Sequence, residues 1–271
     1  NSYDNLVMVV GSDRVSEYSL SAGFDLSSTV NHVRDLDHTT IQAETGGWRP
    51  QDIEFSADGR KMFLPMLART GTRGVHQLDL STPFDMSSAS SEYYFAPSSV
   101  TSGNPTGIEF NDTGTKMFLS MGAEVKEYTL SSAFDLQSTV TFVQSADLSA
   151  QTNPLGENGK GIKELILSDD GTILFVVNKR PHNIYEYSLS SAFDVSNVTF
   201  IAKTNDNFVK NAPSTGQEQS PAALAFGDNG SKLFFGGRDK EFVIESTLPG
   251  NYTLNLPALS SHVPADDATG V

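Results

Sequence analysis

Residues 104–145 read NPTGIEFNDTGTKMFLSMGAEVKEYTLSSAFDLQSTVTFVQS, and this stretch decides the fold. Ile108-Glu109-Phe110, Lys116 to Leu119, Val125 to Leu130 and Thr139 to Val143 alternate with a period of two or are rich in β-branched and aromatic residues. No segment keeps a convincing 3.6-residue period. The stretch therefore reads as four short strands, a to d in order, with Asp112-Thr113-Gly114 between a and b. Asp bonds the backbone ahead of it and Gly supplies φ > 0, which a tight hairpin turn needs.

Working outward, the same unit recurs. Strand c returns as VSEYSL (from Val15), VHQLDL (Val75), VKEYTL (Val125), IYEYSL (Ile184) and VIESTL (Val243), with starts 60, 50, 59 and 59 residues apart. The a–b hairpin recurs as IEFSADGRKMF from Ile53, LILSDDGTILF from Leu165 and LAFGDNGSKLF from Leu224. A Phe-Asp pair recurs between c and d at Phe24, Phe84, Phe134 and Phe193, where a buried Phe anchor and an Asp-capped turn are expected. Four-stranded units repeated around a ring make a β-propeller. An all-β, five-bladed, single-domain propeller is thus expected, with copies at about 1–48, 49–103, 104–159, 160–219 and 220–259, a polar tail at 260–271, and strand a of each copy lining the axis.

Closure is the open point at this stage. The chain begins in strand b of the first copy (Leu6 to Val10), and Tyr252 to Leu259 is expected to supply either the last strand d or a closing strand. An open array, or one excised from a longer protein, is the alternative. A second expectation comes from an internal swap: Glu54 and Glu109 of strand a stand seven residues before Lys61 and Lys116, whereas Ile166 stands seven before Ile173. Cross-strand pairing is inferred, making the glutamates hairpin partners rather than catalysts.

Composition narrows the function. The chain has 271 residues, no cysteine and a net charge of −15, which argues against nucleic-acid binding and thiolate metal sites. No apolar run reaches the roughly 18–20 residues of a membrane span, so no membrane insertion is expected. The five histidines form no HxH or HExxH pattern, the Asp-x-Gly turns lack the ligand spacing of a calcium loop, and no G-x-S-x-G elbow occurs. No metal, cofactor or catalytic residue is assigned. The sequons at Asn111, Asn197, Asn229 and Asn251 are of the number a Ser/Thr-rich chain yields by chance.

Quoted whole, the 104–145 segment resembles the propeller repeats of bacterial YncE-like, YVTN and NHL proteins. The combination of EYTL with SSAFDL is more similar to repeat arrays in surface or structural proteins of marine bacteria and their phages. The resemblance implies architecture and leaves activity open.

In such a ring the b–c and d–a connections share one rim, and here they are long and variable. Ten of the 18 lysines and arginines lie in them. Ligand contact is expected there, with Arg49, Arg69, Arg73, Arg180 and Arg238 as donors to an anionic glycan and Trp48 either stacking on a sugar or plugging the hub. The resulting expectation is a non-enzymatic propeller for recognition, adhesion or structural assembly, located extracellularly or at a cell or virion surface. Its expected partners are polysaccharide or other structural proteins of the same particle. The alternative is a carbohydrate-active propeller enzyme using carboxylates at the central cavity. A carboxylate cluster there favours the enzyme; a hub of apolar and small side chains favours the binding module.

Overall fold

The computed structural model describes residues 6–10, 14–37, 50–66, 74–97, 103–152, 161–178, 183–204, 221–237, 242–254 and 261–264. Their strands form five antiparallel sheets. Blade 1 holds β1 (Leu6–Val10), β2 (Arg14–Leu20) and β3 (Val30–Asp37). Blade 2 holds β4 (Glu54–Phe55), β5 (Lys61–Met66), β6 (Gly74–Leu80) and β7 (Ala89–Phe95). Blade 3 follows with β8 (Pro105–Phe110), β9 (Lys116–Met121), β10 (Glu124–Leu130) and β11 (Val140–Asp147). Blade 4 is β12 (Ile162–Leu167), β13 (Ile173–Asn178), β14 (Ile184–Ser191) and β15 (Asp194–Lys203). Blade 5 is β16 (Pro221–Gly227), β17 (Lys232–Gly237), β18 (Phe242–Thr247) and β19 (Ser261–Pro264). The chain is a five-bladed β-propeller.

Each blade runs in sequence order from its inner to its outer strand. The inner strands touch their neighbours around the axis, β12 meeting both β8 and β16. Between blades the core is apolar and repeats. Phe63 of blade 2 stacks on Phe110 of blade 3 at 4.6 Å, and Phe175 of blade 4 on Phe226 of blade 5 at 4.7 Å. Full burial of such a ring contributes roughly 1.5–3 kcal/mol.

The Phe-Asp turns serve as anchors, with each Phe half-buried where a buried ring was expected. Phe24, Phe84, Phe134 and Phe193 all have φ between 52° and 57°. A left-handed aromatic is strained, so something must hold it. The Phe134 amide donates to the Gly114 carbonyl at 2.8 Å, and the Phe134 ring occupies the space a Gly114 Cβ would need, 2.1 Å from its ideal position. Gly59 with Phe84 and Gly171 with Phe193 repeat the arrangement. Asp85, Asp135 and Asp194 then accept from main-chain amides two residues on, at 2.8–3.1 Å.

Two expectations are corrected here. In blade 5 the anchor is Tyr252, at φ 53° over Gly230, so this residue belongs to a turn and not to a strand. Strand d comes instead from Ser261–Pro264, inside the segment expected to be a polar tail. Main-chain pairing with β18 suffices, without a β-rich sequence.

The second correction concerns Glu109 and Lys116. The register sets Glu109 opposite Phe118, which leaves Lys116 on the same face but diagonal to it. Lys116 Nζ turns outward to Glu127 at 2.8 Å and to the Phe193 carbonyl of blade 4 at 2.7 Å. Lys61 likewise faces Asp79 and Asp135. These two lysines tie blades 2 and 3 to the blades that follow, and the glutamates stay at the axis.

A further repeat explains ring closure. The strand-c Glu or Gln of one blade accepts the main-chain amide after the Phe-Asp turn of the next: Gln77 from Leu136, Glu127 from Val195 and Glu186 from Leu254. Glu245 of blade 5 accepts from Leu26 of blade 1 at 2.8 Å, and Lys232 donates to the Phe24 carbonyl. Blades 5 and 1 are thus joined by the contact that the other interfaces use, and the ring is not open there.

Candidate active site

The axis is built from strand a. In blades 3, 4 and 5 this strand carries a bulge, between Pro105 and Gly107, Ile162 and Glu164, and Pro221 and Ala223. Bulges re-aim the side chains that follow them. Aligned by the repeat, the position after the bulge is Asp52, Gly107, Glu164 or Ala223, and the position two residues later is Glu54, Glu109, Ile166 or Ala225. The register supports the alignment, since the latter four stand opposite Phe63, Phe118, Phe175 and Phe234. Four carboxyl groups of blades 2, 3 and 4 therefore occupy two adjacent layers.

Their contacts cross blades. Asp52 Oδ2 accepts the Ile108 amide of blade 3 at 2.8 Å, and its Oδ1 accepts from Ile53 at 2.6 Å. Glu109 accepts from the Leu167 amide of blade 4. Glu164, only 3% exposed, accepts the Leu165 amide at 2.9 Å and shares a hydrogen bond with Asp52. Gly107 is what makes that meeting possible, because a Cβ there would lie 2.8 Å from Glu164 Oε1 and 2.9 Å from the Leu165 nitrogen. Beside it, the Thr106 hydroxyl donates to the Ile162 carbonyl at 2.8 Å and lies 3.0 Å from Ser120 Oγ.

Burial and crowding set the ionisation. Desolvation pushes Asp52 up to about 6, a rise limited by the hydrogen bond from Glu164 and by the amides of Ile108 and Ile53. Glu164 is held well above the carboxylate range by desolvation, then by the Asp52 charge and by donating its proton to Asp52. Desolvation also raises Glu54, helped by Asp52, and Glu109, helped by Glu54 and Asp52. Among the described residues, no lysine or arginine acts on any of the four. Asp52, Glu54 and Glu109 nonetheless keep part of their surface open. One ionised and one protonated carboxyl in contact, within reach of water, is an acid–base pair.

Among the described residues, no group of three His, Asp or Glu side chains is arranged to hold a metal ion. Of the residues expected to bind ligand, Trp48, Arg49, Arg69, Arg73, Arg180 and Arg238 all lie outside the described residues. The four acids were not singled out as catalytic in the sequence because the Glu–Lys offset assigned two of them to hairpin pairing. The usable signal was that Asp52 and Glu164 fall at one repeat position, where the other copies have Gly or Ala.

No protein-family model and no curated protein matches the chain. Solved structures do. A protein from Lactobacillus plantarum is similar with a TM-score of 0.55 and 14% identity, over 96% of this chain and 69% of that one. The periplasmic gluconolactonase of Pseudomonas aeruginosa gives 0.51 and 16%, over 96% and 68%. A putative 6-phosphogluconolactonase from Bacteroides uniformis gives 0.50 and 14%, over 96% and 70%. At such identities the likeness shows a shared propeller fold.

The expectation of a non-enzymatic recognition, adhesion or structural module is corrected on two findings. The hub carries a carboxylate cluster instead of a purely apolar filling, and the similar propellers include proteins named as lactonases. No helix of the described residues is long and apolar enough to cross a membrane.

Proposed function

We propose that this chain is a hydrolase acting on a sugar-derived cyclic ester, with Asp52 as general base and Glu164 as general acid. The carrying observation is the hydrogen bond between these two carboxyls, which divides one proton between them at the axis. Ionised Asp52 takes a proton from water as the water oxygen attacks the lactone carbonyl carbon. The tetrahedral intermediate collapses by breaking the ring C–O bond, and Glu164 protonates the departing ring oxygen. Asp52 is then protonated and Glu164 ionised, and a proton crossing their hydrogen bond restores the starting state. The net reaction is lactone plus water to hydroxy acid.

The contact geometry supports acyl chemistry over glycoside cleavage. Glycosidases separate their two carboxyls by about 5 Å or more to admit the sugar carbon or a water, whereas Asp52 and Glu164 touch. Directly bonded acid pairs that share one proton are suited to activating water against a carbonyl. The names of two similar propellers, a gluconolactonase and a putative 6-phosphogluconolactonase, support the same substrate class. A location outside the cytosol belongs to this reading, supported by the periplasmic residence of the first. Polysaccharide enters it only as a source of the sugar unit.

The test is hydrolysis of D-glucono-1,5-lactone above its spontaneous rate. Asp52→Asn and Glu164→Gln are each expected to lower kcat by about 10²–10⁴. Wild-type activity no greater than the spontaneous rate, or variants as fast as wild type, would overturn the proposal.

A further inference from the structure

The bulge in β12 lies immediately before Glu164, so whatever holds the bulge also aims this acid. Ile162 pairs with Asn178 and Glu164 with Val177, which leaves Lys163 as the extra residue. Ile162 packs in one buried cluster with Leu165 and Leu167. In a regular strand, residues three apart point to opposite faces. The bulge is therefore what lets Ile162 and Leu165 share that core.

Blade 3 grips the bulge from two sides. The Ile162 amide donates to the Gly122 carbonyl at 2.7 Å, an approach that Gly161 permits because a Cβ there would lie 2.6 Å from the same oxygen. The Ile162 carbonyl, part of the peptide unit that leads into Lys163, accepts from the Thr106 hydroxyl at 2.8 Å. With its one proton committed there, Thr106 Oγ1 accepts from the Ser120 hydroxyl at 3.0 Å. Both side chains are buried, so water does not compete, and the bonds of such a chain polarise one another. At the repeat position of Thr106, blade 2 has Gln51 and blade 4 has Lys163. The short hydroxyl thus stands at the interface where Glu164 meets Asp52. Its two successors serve the same meeting, since Gly107 leaves room for Glu164 and the Ile108 amide holds Asp52.

We infer that Thr106 is a positioning residue for the reaction: its hydroxyl locks the β12 bulge in the arrangement that brings the Glu164 carboxyl to Asp52. That role rests on the reading of Asp52 and Glu164 as the acid–base pair. Thr106 acts through the main chain of Ile162 and Lys163.

Thr106→Val keeps the shape of the side chain and removes the hydroxyl. The readout is the Asp52 titration, followed by carbon-13 NMR of the full chain labelled in its Asp carboxyls. The hydrogen bond from Glu164 limits the rise of Asp52 to about 6. Once the bulge is released and that donor withdraws, the proton affinity of Asp52 is expected to increase at least about threefold, displacing its titration above pH 6. The other acids that act on Asp52's surroundings, Glu54 and Glu109, are unchanged in the variant. For D-glucono-1,5-lactone, kcat should fall at least about tenfold, and the acid limb of the pH profile should move upward with Asp52. Thr106→Ser restores the hydroxyl and should match wild type within about threefold in both readings. A hydroxyl with a merely structural role would lower Tm in Thr106→Val and leave the Asp52 titration in place. The inference is overturned if folded Thr106→Val titrates as wild type does, or if Thr106→Ser is displaced as far as Thr106→Val. Should Thr106→Val show no cooperative unfolding transition, Ser120→Ala, which removes the other hydroxyl of the chain, decides by the same displacement. A displaced titration in a protein whose wild type hydrolyses no lactone would refute the proposed reaction and leave the positioning of Glu164 by Thr106 standing.

Discussion

At the scale of single residues, the four axial acids couple stability to pH. Each has a folded-state pKa above the ordinary carboxylate value, so the folded chain holds protons that the unfolded chain releases as pH rises past about 4. Their stabilising contribution is full below that pH and is lost as pH climbs through the folded values, which for Asp52 is about 6. Glu164→Gln removes one such group while an amide can still accept from Leu165 and donate to Asp52. It should raise Tm by about 2–4 °C at pH 8 and leave it nearly unchanged at pH 4, as read by thermal unfolding at the two pH values. Activity should fall as pH drops through about 6, when Asp52 takes up a proton. With acids and no described cation at the axis, D-glucono-1,5-lactone should be hydrolysed at least about tenfold faster, by kcat/KM, than its 6-phosphorylated form. A preference for the phosphorylated lactone would contradict this. The sequence showed Glu54 and Glu109 as repeated and charged, yet could not say that Lys61 and Lys116 turn to the next blade, because a seven-residue offset fixes the face and not the partner.

At the scale of elements, the a–b and c–d turns fold as one unit. Gly114→Ala would set a methyl into the Phe134 ring at a φ of 66°, so a loss of about 2–4 kcal/mol is expected in denaturant unfolding. Glu127→Ala leaves the Val195 amide without its acceptor and Lys116 without its carboxylate partner, and a loss of about 1–3 kcal/mol should follow. Glu127→Gln should cost less than half of that, since Gln77 does the same work for Leu136 in blade 2. Equal losses from the two variants would show that charge, rather than amide capture, matters at this position. Most elements were legible in the sequence because the period-two pattern and the Asp-x-Gly turns repeat. Strand β19 was not, because Ser261 to Pro264 joins the sheet through main-chain pairing that leaves no mark in side-chain pattern.

At the scale of the whole molecule, four copies of one clamp link blades 2 to 5 and return to blade 1, without exchange of a strand between the described parts of blades 5 and 1. Blade count and strand order were readable from repeat spacing alone, whereas the closing contact was not, since Glu245 to Leu26 spans 219 residues. The same geometry gathers side chains of three blades at the axis, where Asp52, Glu109 and Glu164, far apart in sequence, come to share protons and main-chain amides. That the axis holds carboxylic acids still protonated at neutral pH is the central claim, and carbon-13 NMR titration of side-chain carboxyls labelled in Asp and Glu tests it most directly. An Asp resonance titrating near pH 6, abolished by Asp52→Asn, and a Glu resonance titrating near pH 8, abolished by Glu54→Gln, are expected, with the Glu164 carboxyl displaced upward from the ordinary range. Titration of every Asp and Glu carboxyl below about pH 5 would contradict it.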